Sequence, residues 1–372
     1  RAREAAEEIG NLELIAETSR LLGATYSSLA KLTRDLDEKR RLLNEGLEAH
    51  KRAREAAEEI GNLELIAETS RLLGATYITL ASIVTDLKKK MHYIKLGIDV
   101  LIVSKNRAQE DKRYSIVIDT IRHLSRAYTL IARLSTHEDF DLGGEFGDMQ
   151  YDPLSLCKEA INYSNFVSDF SDVFYIFMNV FQFAIYYVLY KPENNSLLYV
   201  ERLVKLYLEF VDSLDKKSLD ANFIVPSIYH LSRVIFLMGD VFRFKPKELF
   251  IMFKEFLSRL EERIDNRYLI EFIITINKFF DGLLSDYEKR FHEAILSLTK
   301  RQISMQFFNA DFSYVIMLRT YISKIRYHLL YGEFDKATTI MSDIAKLNLE
   351  ISRFMPEYQI LQVFVRILDP IL

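Results

Sequence analysis

An all-α solenoid of antiparallel helix pairs is the fold this sequence predicts, on three observations. Residues 1–26, RAREAAEEIGNLELIAETSRLLGATY, recur without a change at residues 52–77, an offset of 51. Within each copy the apolar residues return at three- and four-residue spacing, the period of a helix and not of a strand. The 372 residues include only 12 Gly and 6 Pro, too few for the turns of a sheet protein this long. A fixed period of this size means stacked units, each too small to bury its own apolar face alone.

The elements follow in order. A first helix is expected from about Leu12 to Arg34, with an apolar face of Leu14, Ile15, Thr18, Leu21, Leu22, Thr25, Tyr26 and Leu29. Asp35–Leu36–Asp37 supplies a turn with capping carboxylates, and the acidic start of DEKRR suits a helix N-terminus. The second helix runs through Leu42, Leu43, Leu47 and Ala56 to Ile60, where Gly61–Asn62 stops it, as Gly10–Asn11 does one unit earlier. A degenerate third copy keeps the register: Thr18, Thr69 and Thr120 coincide, as do Arg20, Arg71 and Arg122, and Tyr26, Tyr77 and Tyr128. Further first helices are expected near residues 170, 220, 266, 311 and 354, with breakers such as Lys191–Pro192, Gly239–Asp240, Asp265–Asn266 and Gly332–Glu333 between them. Roughly eight helix pairs then fill the chain.

Three motifs resemble the tetratricopeptide-repeat family. Leu22–Gly23 with Tyr26 and Leu73–Gly74 with Tyr77 are similar to its Leu-Gly-x-x-Tyr element, and the third copy has Leu124, Ser125 and Tyr128. Gly332–Glu333–Phe334–Asp335–Lys336–Ala337 resembles the turn and second-helix opening of that family. The glycine lets two helices approach closely while Tyr fills the adjacent gap. The unit of 51 residues is longer than the family's 34, so the helices are longer too. The resemblance implies a right-handed superhelix whose first helices line the concave surface, and hence a protein or peptide partner. Long helix pairs of this kind are also loosely similar to the sensor arms of large signalling ATPases. That likeness implies an alternative role as a ligand- or peptide-sensing regulatory arm.

Composition divides the chain. All 26 Phe lie at or beyond Phe140, while residues 1–136 hold 16 Ala against 7 in the remainder. The sequence therefore separates into an Ala-rich repeat block at 1–136, an acidic Gly-containing loop at 137–154 and a Phe/Tyr-rich helical block at 155–372. Identity of the 26-residue repeat on both its faces marks a recent duplication or deliberate construction, because exposed positions of natural repeats drift. The net charge of −4 argues against a nucleic-acid partner. With Cys157 as the single cysteine, no intrachain disulfide and no cysteine-clustered metal site exists. Val173–Tyr190 is eighteen residues without a charge, but Asn179, Gln182 and four Tyr make it a buried solenoid helix rather than a membrane span. No signal peptide is visible and a cytoplasmic location is expected, while a start at Arg1 without Met is what a chain lacking an upstream segment would show.

Catalytic patterns fail on inspection. His292–Glu293 opens a zinc-protease helix pattern, but Leu296 stands where the second His ligand belongs. Asp139, Asp141 and Gly144 fit a calcium loop, but Gly143 and Gln150 replace two of its ligands. Lone His123 and Cys157 have no established partner for nucleophilic chemistry. Lys88–Lys90 with His92, Tyr93 and Lys95 is the best nucleic-acid candidate, and an inter-helix turn after a helix C-terminus is the expected reading. No cofactor, metal or enzymatic activity is expected.

The informative surface feature is a polar stripe on the first helices. Glu13, Glu17, Arg20, Ala24, Ser27 and Lys31 alternate four and three apart, hence on one face. The second copy reads Glu64, Glu68, Arg71, Ala75, Ile78 and Ser82, the third Ser115, Asp119, Arg122, Arg126, Thr129 and Arg133. Stacking aligns these positions, and Arg suits bidentate recognition of carboxylates. An acid three residues before Arg is also an ordinary intrahelical ion pair. The candidate protein- or peptide-binding residues are Glu68, Arg71, Asp119, Arg122 and Arg126.

Overall fold

The computed structural model describes residues 8–134, 152–190, 194–215 and 247–263, with residue 6 and isolated positions between 219 and 235 and between 334 and 342. All regular structure among these residues is helical. The chain forms two compact units, Arg1–Phe210 and Val211–Leu372. Helices α1 (Leu12–Leu32), α2 (Leu36–Ile60), α3 (Leu63–Ile83), α4 (Leu87–Glu110), α5 (Tyr114–Leu134), α6 (Pro153–Ser164) and α7 (Ser171–Tyr190) belong to the first, as does most of α8 (Asn194–Ser213). In the second lies α9 (Lys247–Arg263). Most of the acidic stretch, the sites around His292 and Gly332, and the helix starts near 266, 311 and 354 lie outside the described residues.

Local chemistry sets the helix ends as the repeat predicts. Asn11 and Asn62 cap α1 and α3, accepting from the Leu14 and Leu65 amides at 3.1 Å. Asp35 caps α2, accepting from the Asp37 and Glu38 amides, and Asp86 caps α4. Each such cap is worth about 1 kcal/mol. Gly61 ends α2 in the left-handed region at φ 75°, matching Gly10 at φ 68°. Lys88–Lys90 lie in the first turn of α4 rather than in the turn before it, because Asp86 already starts the helix there. Tyr93 stacks on Tyr77 at 6.1 Å, so its ring is packed into the solenoid.

Close backbone approach holds each pair together. A Cβ on Gly46 would sit 3.3 Å from the Gly23 carbonyl oxygen, and one on Gly97 would sit 3.3 Å from that of Gly74. The glycine of the Leu-Gly-x-x-Tyr element thus meets a second glycine on the partner helix, at the same offset in both units. His50 packs on Gly23 where Leu101 packs on Gly74. Pairs then stack: α2 packs on α3, and α4 on α5. Leu42, Leu43 and Leu47 of α2 share one core with Leu73, Tyr77 and Leu80 of α3.

The first unit departs from its predicted apolar face. Leu14, Leu21, Thr25 and Leu29 are exposed, and the buried residues of α1 are Ala16, Ser19, Gly23 and Ala30. Gly23 of α1 packs against His50 of α2, whereas Leu14 lines the groove between α1 and α3.

Beyond α5 the packing changes from alanine to aromatic. The rings of Phe177 and Phe181 meet Tyr207 edge-on at 5.1 and 5.3 Å, and Phe210 contacts Phe174 and Phe177 at 5.5 and 5.6 Å. This is the packed helix expected at Val173–Tyr190, and among the described residues no helix is long and apolar enough to cross a membrane. Helices on the two sides of the acidic stretch pack directly, α5 against α7. In the second unit Asp220 accepts from the Asn222 amide at 2.8 Å, at the helix start expected near 220. There Arg259 also pairs with Asp212 at 2.9 Å, and Arg263 donates to the Val211 and Leu214 carbonyls.

Candidate functional site

First helices lie side by side, α1 touching α3, α3 touching α5 and α5 touching α7. A residue at a fixed place in the repeat therefore neighbours its own counterpart, and the polar stripe becomes a chain of ion pairs. Arg20 binds Glu17 in its own helix at 2.6 Å and Glu68 on α3 at 3.0 Å. Arg71 reaches Asp119 on α5 at 2.5 Å. Arg122 binds Asp119 in its own helix and Asp172 on α7, the latter at 2.9 Å. Each guanidinium spans to the acid one unit on, so Glu68 is held by Arg20 and Asp119 by both Arg71 and Arg122.

The ladder tightens away from the N-terminal unit. Arg71 and Asp119 are 17% and 19% exposed, against 20% and 30% for Arg20 and Glu68. Burial works to raise the Asp119 pKa, yet the combined pull of Arg71, His123 and Arg122 holds it below its ordinary value. Burial raises that of Asp172, with Arg122 opposing. Beside this centre His123 is driven down to about 3 by burial, which outweighs the opposing pull of Asp119, so its imidazole is neutral at pH 7.

The stripe does not stay on the surface along its whole length. Ile78 is buried against Gly97, and Thr129 donates to the Asn179 carbonyl at 2.8 Å. Asn179 in turn donates to the Ser125 hydroxyl at 2.9 Å, which gives this polar residue of the charge-free helix its partner. Arg126 stands one turn beyond Arg122, is exposed, and has no acidic partner among the described residues. The Arg122 guanidinium lies over the Tyr175 ring at 6.0 Å, and that ring is itself exposed. Arg126, Arg122 and Tyr175 thus form a cationic and aromatic end to the ladder.

At the other end, an open groove of about 420 Å³ separates the N-termini of α1 and α3, lined by Asn11, Asn62 and four glutamates. Two of these, Glu17 and Glu68, already bind Arg20, and Glu64 binds Arg113. Sequence reasoning missed Asp172 and Tyr175, which lie 50 or more residues from their partner Arg122, outside the strict period of 51. It also missed Lys105, buried between α4 and α6, whose ammonium binds Glu159 at 3.0 Å while Gln109 donates to the same carboxylate. Cys157 is buried and its thiol is pushed well up by burial, so it is protonated and unreactive. Among the described residues no group of three His, Cys, Asp or Glu side chains is placed to hold a metal ion.

No protein-family model and no curated protein matches this chain. Among solved structures it is similar to a circular tandem repeat protein with novel repeat topology and enhanced subunit contact surfaces, at 16% identity and a TM-score of 0.42. That match covers 95% of this chain and 88% of the other.

Proposed function

We propose that this chain is a non-catalytic, cytoplasmic helical-repeat scaffold that binds an acidic protein segment along its first helices. In this reading the helix pairs continue as a right-handed solenoid of tetratricopeptide type, about eight pairs long, with the first helices on the concave side. The observation that carries the reading is the end of the ion-pair ladder. Asp119 and Asp172 are engaged by Arg71 and Arg122, which leaves the exposed Arg126 in excess beside exposed Tyr175. Arg and Tyr are the side chains that anchor protein interfaces, and a guanidinium takes a carboxylate in bidentate fashion. Arg126 is then the anchor, and Arg122 and Tyr175 shape the site around it.

The test is selection of binding peptides from a random library on the full chain. Acidic peptides should be enriched, and Arg126→Glu should abolish the enrichment with helicity and melting unchanged. Arg71→Glu is a poorer probe, because it strands Asp119 and lowers melting. Selection that ignores peptide charge, or that survives Arg126→Glu, overturns the reading.

A further inference from the structure

The ladder of ion pairs crosses four helices and ends one arginine short. Its motif is an acid followed three residues later by arginine: Glu17 and Arg20 on α1, Glu68 and Arg71 on α3, Asp119 and Arg122 on α5. On α7, two residues out of the strict period, the structure sets Asp172 in the place of the acid and Tyr175 in that of the arginine. Asp119 receives two guanidinium groups, from Arg71 on α3 and from Arg122 in its own helix. Among the described residues Asp172 receives one, from Arg122 at 2.9 Å. Its own helix offers no second, because Asp172 is the only charged residue of α7.

The two acids differ accordingly. The side chain of Asp119 is 19% exposed and that of Asp172 is 32%. Burial is the largest influence on both carboxyls. Arg71, His123 and Arg122 together outweigh it at Asp119, which stays below its ordinary pKa. At Asp172 the arginines do not, since Asp119 and Asp169 add to burial, and the pKa is raised. What this carboxylate lacks is a further cation. Tyr175 offers that cation a second partner, being exposed and one turn along the same side of α7. The Arg122 guanidinium stands 6.0 Å from the centre of this ring, so a planar cation beside Asp172 reaches an aromatic surface already in such use. A guanidinium both forks onto a carboxylate and lies flat on a ring, which a compact ammonium cannot do.

We infer that the segment bound at Arg126 also carries an arginine, which pairs with Asp172 and lies against Tyr175. The inference rests on the binding role given to Arg126 above. The ligand is then of mixed charge, with an acid and an arginine close together, rather than uniformly acidic. The test uses the peptides that the full chain enriches from a random library. Arginine should accompany their acidic residues more often than in the starting library. Replacing that arginine by citrulline, its neutral isostere, should weaken the tightest peptide about tenfold on the unaltered chain and under about twofold on Asp172→Asn. Tyr175→Arg supplies the missing arginine from within and leaves Asp172 in place. Melting should rise with helicity unchanged, and the enrichment of arginine should disappear. Acidic peptides that depend on Arg126 but show no preference for arginine overturn this inference and leave the acidic-segment reading standing. An equal citrulline penalty on both chains, or arginine enrichment that survives Tyr175→Arg, overturns it as well. Enrichment that ignores both peptide charge and Arg126 overturns the two together.

Discussion

Helices α1 and α3 carry the same fifteen residues at Leu12–Tyr26 and Leu63–Tyr77, yet they are packed differently. Ala16 and Ala67 are both fully buried, as are Ser19 and Ser70, because each faces the second helix of its own unit. Thr25 is exposed where Thr76 is 4% exposed, and Leu29 is open where Leu80 is sealed. The difference lies in what stacks on the far side: α3 has α2 there. Burial in a solenoid is thus a property of the neighbouring unit as much as of the residue.

The largest expected effect breaks this comparison at its most unequal position. Leu80→Ala should cost about 2–5 kcal/mol in denaturant unfolding, and Leu29→Ala under about 1 kcal/mol. Equal losses would mean that the two units are equally enclosed.

The next effect concerns position 50, where His50 stands in the place that Leu101 takes one unit on. Burial, with Arg71 and Arg20 nearby, holds the His50 imidazole down to about 4 from an ordinary 6.5. Its Nδ1 is buried without a hydrogen-bond partner. Between these two values unfolding takes up a proton, so stability falls as pH drops from 6.5 to 4 and levels off below. The loss is about 3 kcal/mol. His50→Leu should remove that part of the acid loss and raise melting near pH 5, because Leu101 shows that leucine packs well on the facing glycine. His123, held still lower by burial, and the lowered carboxyl of Asp119 keep their own shares of the acid loss in the variant. An unchanged pH profile in the variant would sink this assignment.

A third contrast lies within one helix pair. A Cβ on Gly74 would stand 2.5 Å from Leu101 Cγ and 3.1 Å from the Gly97 carbonyl oxygen, which cannot retreat. Gly74→Ala should therefore cost about 1–3 kcal/mol in thermal melting despite the better helix propensity of alanine. Gly97→Ala should cost less, since its close neighbour is the flexible tip of Ile78. The smallest effect compares two rungs of the ladder. A double-mutant cycle on Arg71 and Asp119 should give a coupling on the order of 1 kcal/mol, and one on Arg20 and Glu68 about half that, following their exposure.

Much of this fold is legible in the residues because its causes are local. Asn11 and Asn62, Asp35 and Asp86, and Gly10 and Gly61 act within a few residues of where they stand. The 51-residue period carries their effect from unit to unit. The candidate site was legible only as a stripe. That Arg71 finds Asp119 depends on how far one unit is displaced from the next, and no spacing within a helix reports that displacement. Asp172 and Tyr175 fall outside the strict period, so nothing in the repeat pointed to them.

What the sequence by itself determined is the helix pair: where it starts, where it stops, and which glycines let its two members touch. Only the tertiary structure decided which leucines are covered and which arginines remain open to a partner. Both depend on contacts between units about fifty residues apart, and local propensity has no reach over that distance.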